Sequence, residues 1–237
     1  MSKQKKTALI ICASILGFLL ILFVVCAIYV SDFYEADDSI IGDTSGIRYL
    51  DDGSIVIGEG ELGFIFYPGG KVEAEAYVPL MREIAKEGVV CVIAKMPFKL
   101  AIFDINSADD IRAQFPTVKE WAIGGHSLGG SSASMHIEKS DFDYKALVLL
   151  GSYSTSDLTG EDIEVISIYG SEDKVLNSEK YEECVANLPE SYLEVVIYGG
   201  THAQFGAYGA QKGDGTPTIS REEQISFASR EILNVIK

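Results

Sequence analysis

One stretch, residues 120–130, constrains the fold of this chain more than any other. An apolar run leads into Ser127, which has Gly125 and Gly129 two positions to either side. This Gly-x-Ser-x-Gly pattern is typical of a tight, strained turn between a β-strand and an α-helix, because only glycine at the flanking positions leaves room for the turn. The stretch therefore predicts a strand that ends at His126, a turn at Ser127 and a helix after it.

The turn also places the Ser127 side chain next to backbone hydrogen-bond donors. A helix that begins near Leu128 directs free backbone N–H groups toward any negative charge that develops beside Ser127. We interpret Ser127 as a nucleophile and the Leu128 N–H as one donor to an oxyanion.

Apolar runs alternate with helical patterns along the rest of the chain. The predicted strands are 54–57, 62–67, 89–94, 120–126, 145–150, 163–169 and 193–198. The predicted helices are 73–86, 107–115, 128–139, 178–188 and 221–235. We expect the first two strands to pair with each other. The alternation predicts an α/β fold with a mainly parallel sheet of about seven strands and helices on both faces.

The N-terminal region has the pattern of a membrane anchor. Residues 7–30 contain neither charge nor proline, and as a helix they would extend about 36 Å, enough to cross a hydrocarbon core of about 30 Å. A cleaved signal peptide is the competing interpretation, but its apolar region would be shorter and would end at a small-residue cleavage site. We favour an uncleaved signal-anchor with the lipid bilayer as a partner.

Charge predicts the topology and excludes some partners. Three lysines lie in the tail at residues 1–6, which the positive-inside rule places in the cytoplasm, so the catalytic domain is expected outside. The formal net charge is −16, and these three lysines precede the span, which leaves −19 for the chain beyond it. Such acidity argues against nucleic acid or an anionic membrane surface as a partner. We assign residues 31–50 to a linker and residues 51–237 to one domain.

The cysteines indicate neither a disulfide framework nor a metal site. Cys12 and Cys26 belong to the apolar span, whereas Cys91 lies in a strand pattern and Cys184 in a helix pattern. Their spacing matches no zinc or redox motif. We expect no structural metal and no cofactor.

Partners for Ser127 are expected in the turns that follow other strands, since ligands bind at the carboxyl ends of a parallel sheet. Asp173 follows the sixth predicted strand and His202 follows the seventh. An imidazole can take the serine proton, and a carboxylate can fix the imidazole tautomer. The order Ser, Asp, His along the chain suits a nucleophile-elbow hydrolase. Glu172 is the close alternative as the acid, and weaker ones are Asp157, Glu161 and Asp162.

A second oxyanion donor is expected from the turn Pro68–Lys71, which we call the oxyanion loop. We favour the Gly70 N–H, with the Lys71 N–H as the alternative, because glycine lets a backbone approach a substrate closely. Pocket residues expected from their places at strand ends are Pro68, Gly69, Lys71, Phe98 and His126. The glycine-containing segment 206–218 is expected to form a loop beside His202.

These motifs together resemble the α/β-hydrolase superfamily, and within it the compact dienelactone-hydrolase-like branch (α/β-hydrolase fold-5 type). The resemblance covers roughly residues 50–237 and is carried by four segments: 67–70, 124–130, 168–173 and 200–206. Many relatives carry His-Gly in the oxyanion loop, where this chain has Pro68-Gly69. The resemblance implies a Ser127, His202, Asp173 triad, but it leaves the substrate open.

The resemblance and the motifs predict a serine hydrolase that cleaves a carboxylic ester or a related acyl compound through an acyl-enzyme. Only residues 151–162 separate two consecutive strands at the place where relatives commonly carry a helical lid, so we expect no lid domain and a shallow site for a small or protruding ester. The alternatives are a peptidase or thioesterase on the same triad, or a catalytically idle domain that binds a ligand.

Overall fold

A computed structural model describes residues 2–42 and 44–237, and it divides the chain into two units, one up to Phe33 and one from Tyr34 to Lys237. The first unit is the helix α1, Lys3–Ser31. Among the described residues, α1 is the one helix that is long and apolar enough to cross a membrane. None of its most apolar stretch is buried. A signal sequence near the N-terminus can meet the same criteria of length and composition.

The second unit contains one sheet formed by eight described strands. In chain order they are β1 Ile47–Tyr49, β2 Ile55–Ile57, β3 Leu62–Tyr67, β4 Val89–Ile93, β5 Glu120–His126, β6 Ala146–Leu150, β7 Glu164–Gly170 and β8 Leu193–Ile197. Their order across the sheet is β1-β2-β4-β3-β5-β6-β7-β8. From β4 to β8 all neighbours are parallel, whereas β1 and β2 pair antiparallel. The predicted α/β architecture is confirmed, with one strand more than expected.

The expected pairing of β2 with β3 is wrong. β2 pairs with β1 and β4, so β4 lies between β2 and β3. The four residues between β2 and β3 are too many for a two-residue hairpin turn. β4 is buried along its whole length, so the backbone N–H and C=O groups on both of its edges need partners, which β2 and β3 supply.

Helices cover both faces of the sheet. They are α2 Asp38–Ile41, α3 Val78–Ala85, α4 Ser107–Ala113, α5 Leu128–Ile137, α6 Ser178–Cys184 and α7 Arg221–Ile236. The helix expected over 73–86 is divided into a 3₁₀ turn at Ala74–Tyr77 followed by α3, because Pro79 suits only the first turn of a helix. Residues 151–163 contain no helix, so no helical lid follows β6.

The core consists of two apolar layers, one on each face of the sheet. β3 illustrates the division, because Phe64 and Phe66 point into one layer and Ile65 and Tyr67 into the other. The first layer includes residues of α3 and α7, and the second includes residues of α4 and α5. With both faces covered, the carboxyl edge of the sheet is left for a site.

The segment expected to be a linker is partly packed on the domain. The compact unit begins at Tyr34, and α2 and β1 both lie within residues 34–50. Ile41 is buried in the core, and β1 adds an outer strand to β2. Isolated apolar residues in a polar stretch carry little periodicity, so the sequence pattern gives no sign of this packing.

Candidate active site

Ser127 lies at the turn between β5 and α5 in a strained conformation. Its φ of 51° and ψ of −121° are unfavourable for a residue with a side chain. Hydrogen bonds hold this conformation on both sides: the Ser127 N–H donates to the Leu150 carbonyl at 2.9 Å, and the Ser152 hydroxyl donates to the Ser127 carbonyl at 2.7 Å. Ser127 is therefore fixed by the end of the neighbouring strand β6.

The flanking glycines are required by close backbone approach. A Cβ atom on Gly125 would overlap the backbone of Gly129, and a Cβ atom on Gly129 would overlap the carbonyl oxygen of Tyr67. Any larger residue at either position would force β3, β5 and α5 apart. The turn therefore depends on the Gly-x-Ser-x-Gly pattern for steric reasons.

His202 and Asp173 form a buried pair at the ends of β8 and β7. The distance between His202 Nδ1 and Asp173 Oδ2 is 2.7 Å, and each side chain is 1% exposed. The other carboxylate oxygen, Asp173 Oδ1, accepts the N–H groups of Val175 at 2.9 Å and Leu176 at 2.8 Å. Glu172, the alternative acid, accepts instead from the Ser171 hydroxyl at 3.2 Å. The geometry thus pairs His202 with Asp173.

The second ring nitrogen of His202, Nε2, is buried and has no hydrogen-bond partner among the described residues. Ser127 and His202 both line a pocket of about 230 Å³. When Nδ1 donates its proton to the carboxylate of Asp173, Nε2 carries a lone pair. This nitrogen is therefore available as a proton acceptor.

Two backbone N–H groups near Ser127, those of Leu128 and Gly70, have no acceptor among the described residues. Leu128 is the first residue of α5, so its N–H has no acceptor within the helix. In the oxyanion loop, the Gly69 N–H donates to the Tyr77 hydroxyl at 3.0 Å and the Lys71 N–H donates to the Lys99 carbonyl at 2.8 Å. For the Gly70 N–H between them, the structure gives no partner among the described residues. The geometry favours Gly70 over Lys71 as a donor.

Gly70 and Leu128 are also close in space. A Cβ atom on Gly70 would lie 3.1 Å from Leu128 Cδ2 and 3.4 Å from its Cβ. The two candidate donor residues therefore lie close together beside Ser127.

His126, which precedes Ser127, is buried and only 1% exposed. Its ring centroid lies 4.3 Å from that of His202, and its Nδ1 lies 2.8 Å from the Tyr77 hydroxyl. Because that hydroxyl already accepts the Gly69 N–H, its proton is free to be donated to His126 Nδ1. Burial, together with the neighbouring His202, lowers the pKa of His126 well below its usual value. His126 is therefore neutral.

The pocket is lined by residues that sequence reasoning assigned only in part. Ser127, Leu128 and His202 were expected to lie at the site, and they line the pocket. The other lining residues are Ser131, Gly151, Ser152, Tyr153, Val175, Leu176 and Asn177. Most of these follow β6 and β7, so their positions at strand ends were the signal that could have identified them.

The pocket residues expected from strand ends do not line this pocket. Gly69 packs behind His126 and Tyr77, and Lys71 pairs with the segment that follows β4. Phe98 is 62% exposed, with its ring 5.9 Å from Phe103. The remaining two residues of this expected group, Pro68 and His126, are buried.

Asp214 is a further residue at the site that sequence reasoning missed. Its carboxylate accepts N–H groups from His202 at 3.3 Å, Ala203 at 2.8 Å and Lys174 at 3.3 Å. It thereby joins the loop that carries His202 to the loop that carries Asp173. It lies within the segment 206–218, whose glycines indicated a loop but not this contact.

Among the described residues, no group of three or more His, Cys, Asp or Glu side chains is arranged to hold a metal ion. The chemistry available at the site is that of a serine, a histidine, an aspartate and two backbone donors. This set is suited to nucleophilic attack on a carbonyl carbon.

Solved structures share this fold at low identity. Est1E from Butyrivibrio proteoclasticus is similar with a TM-score of 0.58 and 17% identity, over 81% of this chain and 99% of that one. A thermostable esterase from Pseudomonas putida ECU1011 has a TM-score of 0.59 and 15% identity, over 83% of this chain and 85% of that one. The esterase domain of a Rhodothermus marinus protein has a TM-score of 0.55 and 12% identity, over 79% of this chain and 95% of that one.

Sequence comparison identifies the family of this chain. No curated protein gave a significant match. The profile of the alpha/beta hydrolase family matches residues 63–226, which is more than half of the chain and includes Ser127, Asp173 and His202. The family match and the fold agree with the resemblance seen in the motifs. This chain belongs to the alpha/beta hydrolase family.

Proposed function

We propose that this hydrolase is a membrane-anchored serine esterase that cleaves a carboxylic ester or a related acyl compound through an acyl-enzyme. One observation carries the proposal: His202 lines the same pocket as Ser127, its Nδ1 is bonded to Asp173 at 2.7 Å, and its Nε2 is buried without a partner among the described residues. This is the arrangement that a general base for serine needs.

In the proposed reaction, Ser127 Oγ attacks the carbonyl carbon of the ester and His202 Nε2 takes the hydroxyl proton. The carbonyl oxygen becomes an oxyanion that accepts the N–H groups of Leu128 and Gly70. The C–O bond to the alcohol then breaks, and the alcohol leaves with the proton from His202. Water repeats the sequence on the acyl-enzyme, which releases the carboxylic acid and restores Ser127.

The surroundings of His202 support its role as the base. Asp173 stabilises the imidazolium that forms when His202 takes the proton. His126, whose ring lies 4.3 Å away, stays neutral because burial lowers its pKa, so it does not repel this charge. Est1E, which shares the fold, has been solved with ferulic acid bound, and the other two neighbours described above are named as esterases.

The test is labelling of the full chain with a fluorophosphonate probe, which reacts with activated serines. We expect Ser127→Ala and His202→Ala to abolish labelling. Ser131→Ala is the matched control, because Ser131 lines the same pocket but donates its hydroxyl proton to the Tyr153 carbonyl at 2.7 Å. Labelling that survives Ser127→Ala, or that is absent from the folded wild-type protein, would contradict the proposal.

Anchoring is tested separately. We expect the mature protein to have the mass of the uncleaved chain and to stay in the membrane fraction after alkaline carbonate extraction, since α1 would hold it there. A shorter mature chain found in the soluble fraction would identify α1 as a cleaved signal peptide.

A further inference from the structure

The chain joins the folded domain directly beside the oxyanion loop. The Tyr34 N–H donates to the Lys71 carbonyl at 2.7 Å, and the Glu73 N–H donates to the Tyr34 carbonyl at 3.1 Å. The Tyr34 ring packs on Tyr208 with a centroid distance of 5.5 Å. The first residue of the compact unit is thus bonded to the residue that follows Gly70.

Very little chain separates this point from α1. Asp32 and Phe33 alone lie between Ser31, where α1 ends, and Tyr34. Consecutive Cα atoms are about 3.8 Å apart, so the Cα atoms of Ser31 and Tyr34 are at most about 11 Å apart, whatever direction the helix takes. If α1 spans the bilayer as proposed above, covalent connection alone holds the oxyanion loop close to the lipid headgroups.

An exposed apolar ridge flanks the same loop. It consists of Phe98, Ile102 and Phe103, which are 62%, 43% and 62% exposed. Six large apolar side chains of the described domain are exposed, and the ridge contains three of them. The Lys71 N–H bonds to the Lys99 carbonyl at 2.8 Å, which ties the ridge segment to the oxyanion loop. Contiguous exposed apolar side chains of this kind mark interaction surfaces.

The topology places the ridge, the loop and the nucleophile at one edge of the sheet. β4, β3 and β5 are parallel neighbours. The ridge follows β4, the oxyanion loop follows β3, and Ser127 follows β5. The carboxyl ends of these strands meet at the same edge, so a surface that covers the ridge also approaches the pocket.

We infer that this edge of the domain rests on the bilayer, with the apolar ridge in the interfacial region. The substrate would then be an ester of a membrane-resident amphiphile whose ester group lies at headgroup depth. This inference rests on the proposed function, both the anchor and the serine chemistry. The lipid surface is the occupant because the attachment point of α1 brings the bilayer to this edge.

Apolar contact rather than charge would hold the domain on the lipid. The chain beyond the apolar span has a net charge of −19, since the three lysines that precede the span are set against a total of −16. Near the ridge, Lys99 lies 3.8 Å from Glu73 and Lys95 lies 3.6 Å from Glu75, so acidic partners offset these lysines. Contact between the ridge and the bilayer should therefore form on phosphatidylcholine, which is zwitterionic and has no net charge, and should persist at high salt.

The first experiment measures the contact without using activity. The full chain carrying Phe103→Trp is reconstituted in phosphatidylcholine vesicles with and without brominated acyl chains, which quench nearby tryptophan. Leu193→Trp is the matched control, because Leu193 is 49% exposed but begins β8 at the opposite edge of the sheet. Trp121 is 2% exposed and contributes the same background to both variants.

We expect brominated lipid to quench the Phe103→Trp emission and not the Leu193→Trp emission, at low and high salt alike. Equal quenching of the two variants, or none, would overturn the inference.

The second experiment lengthens the connection. A 30-residue Gly/Ser insert between Asp32 and Phe33 has an r.m.s. length of about 30 Å and lets the domain leave the surface. We expect turnover of monooleoylglycerol in the vesicles to fall by at least about five-fold, because the effective concentration of the site at the bilayer falls. Turnover of p-nitrophenyl butyrate in solution should not change, since the insert lies outside the site.

The two experiments separate this inference from the function on which it rests. If the insert leaves monooleoylglycerol turnover unchanged while the soluble ester is still hydrolysed, the inference is wrong and the serine hydrolase stands. If fluorophosphonate labels no serine and neither ester is hydrolysed, the proposed function fails, and the substrate class inferred here fails with it. The quenching result then still decides whether the domain contacts the bilayer.

Discussion

Tyr77 joins two parts of the site that are far apart in the sequence. Its buried hydroxyl holds the Gly69 N–H in the oxyanion loop and contacts His126 Nδ1 beside the nucleophile. Burial also raises the pKa of Tyr77, so the hydroxyl stays protonated and can donate. A single hydroxyl thus positions the backbone around Gly70 and fixes the ring of His126.

Replacement of Tyr77 by phenylalanine should therefore reduce activity. Tyr77→Phe leaves the buried Gly69 N–H without its acceptor, which costs about 1–3 kcal/mol of stability. It also loosens a donor to the oxyanion, so we expect kcat for a soluble ester to fall about ten-fold, less than the loss of a donor would cause. Tyr181→Phe is the control, because the Tyr181 hydroxyl donates to Ser167 at 3.0 Å and lies outside the site pocket. Equal kcat values for the two variants would refute this role.

Gly151 is another residue whose small size matters at the site. A Cβ atom there would lie 2.9 Å from His202 Nδ1 and 3.1 Å from Asp173 Oδ2, and the φ of Gly151 is +49°. We expect Gly151→Ala to displace the imidazole and lower kcat about 10- to 100-fold, because small misplacements of catalytic groups are costly. Gly160→Ala in the same connection meets nothing within 4 Å and should keep full activity. Steady-state kinetics of both variants would decide the matter.

Residue types and their order along the chain predicted much of the candidate site, but they did not decide between neighbouring candidates for the same role. Glycine spacing indicated the turn at Ser127 for a steric reason that the structure bears out. The choice between Gly70 and Lys71 depends on which N–H groups are already bonded, and the acceptor for Lys71 lies 28 positions away at Lys99. The choice of Asp173 over Glu172 depends likewise on side-chain direction in a turn. Local sequence carries neither kind of information.

At the scale of elements, the loops after β7 and β8 act as one unit. Asp214 connects them through the backbone of His202, Ala203 and Lys174. The distance between His202 and Asp173 therefore depends on a carboxylate, later in the connection from β8 to α7, that contributes no reacting atom.

Asp214→Ala should uncouple these loops. We expect kcat to fall about ten-fold while fluorophosphonate still labels Ser127 slowly, because the triad remains but is less well positioned. Asp157→Ala is the control. Among the described residues, the Asp157 carboxylate accepts only from its near neighbour Thr159, at 3.1 Å from the N–H and 2.7 Å from the hydroxyl. Wild-type kinetics in Asp214→Ala would show that the loops hold their positions without this carboxylate.

The order of the strands in the sheet was harder to predict from the sequence than the positions of the strands along the chain. Long apolar runs such as β4 and β6 are unambiguous because a parallel strand is buried on both faces. The pairing of β2 with β4 instead of β3 depends on contacts between distant segments, which periodicity does not report. The three-residue strand β1 is too short to leave a pattern.

At the scale of the whole molecule, two buried histidines link stability to pH. His126 and His136 both have lowered pKa values, with burial as the largest cause. In the unfolded chain each would titrate near 6.5, so below this pH the unfolded state binds more protons than the folded state. Folding stability should therefore be fully present above about pH 6.5 and decrease as the pH falls.

For His126 alone, the loss between pH 6.5 and 5 is about 2 kcal/mol if the ring stays neutral in the folded state. We expect the midpoint of thermal unfolding, followed by near-ultraviolet circular dichroism of the full chain in detergent, to fall over this range. His126→Gln should show a shallower dependence on pH than the wild-type protein. An equally steep dependence would mean that His126 is not the source.

The strained conformation of Ser127 has an evolutionary consequence. Its positive φ costs of the order of 1–3 kcal/mol, and glycine at this position would be free of that cost. Selection for heat resistance alone would therefore favour glycine at this position. If Ser127 is the nucleophile proposed above, the protein gives up part of the durability of its fold in exchange for turnover.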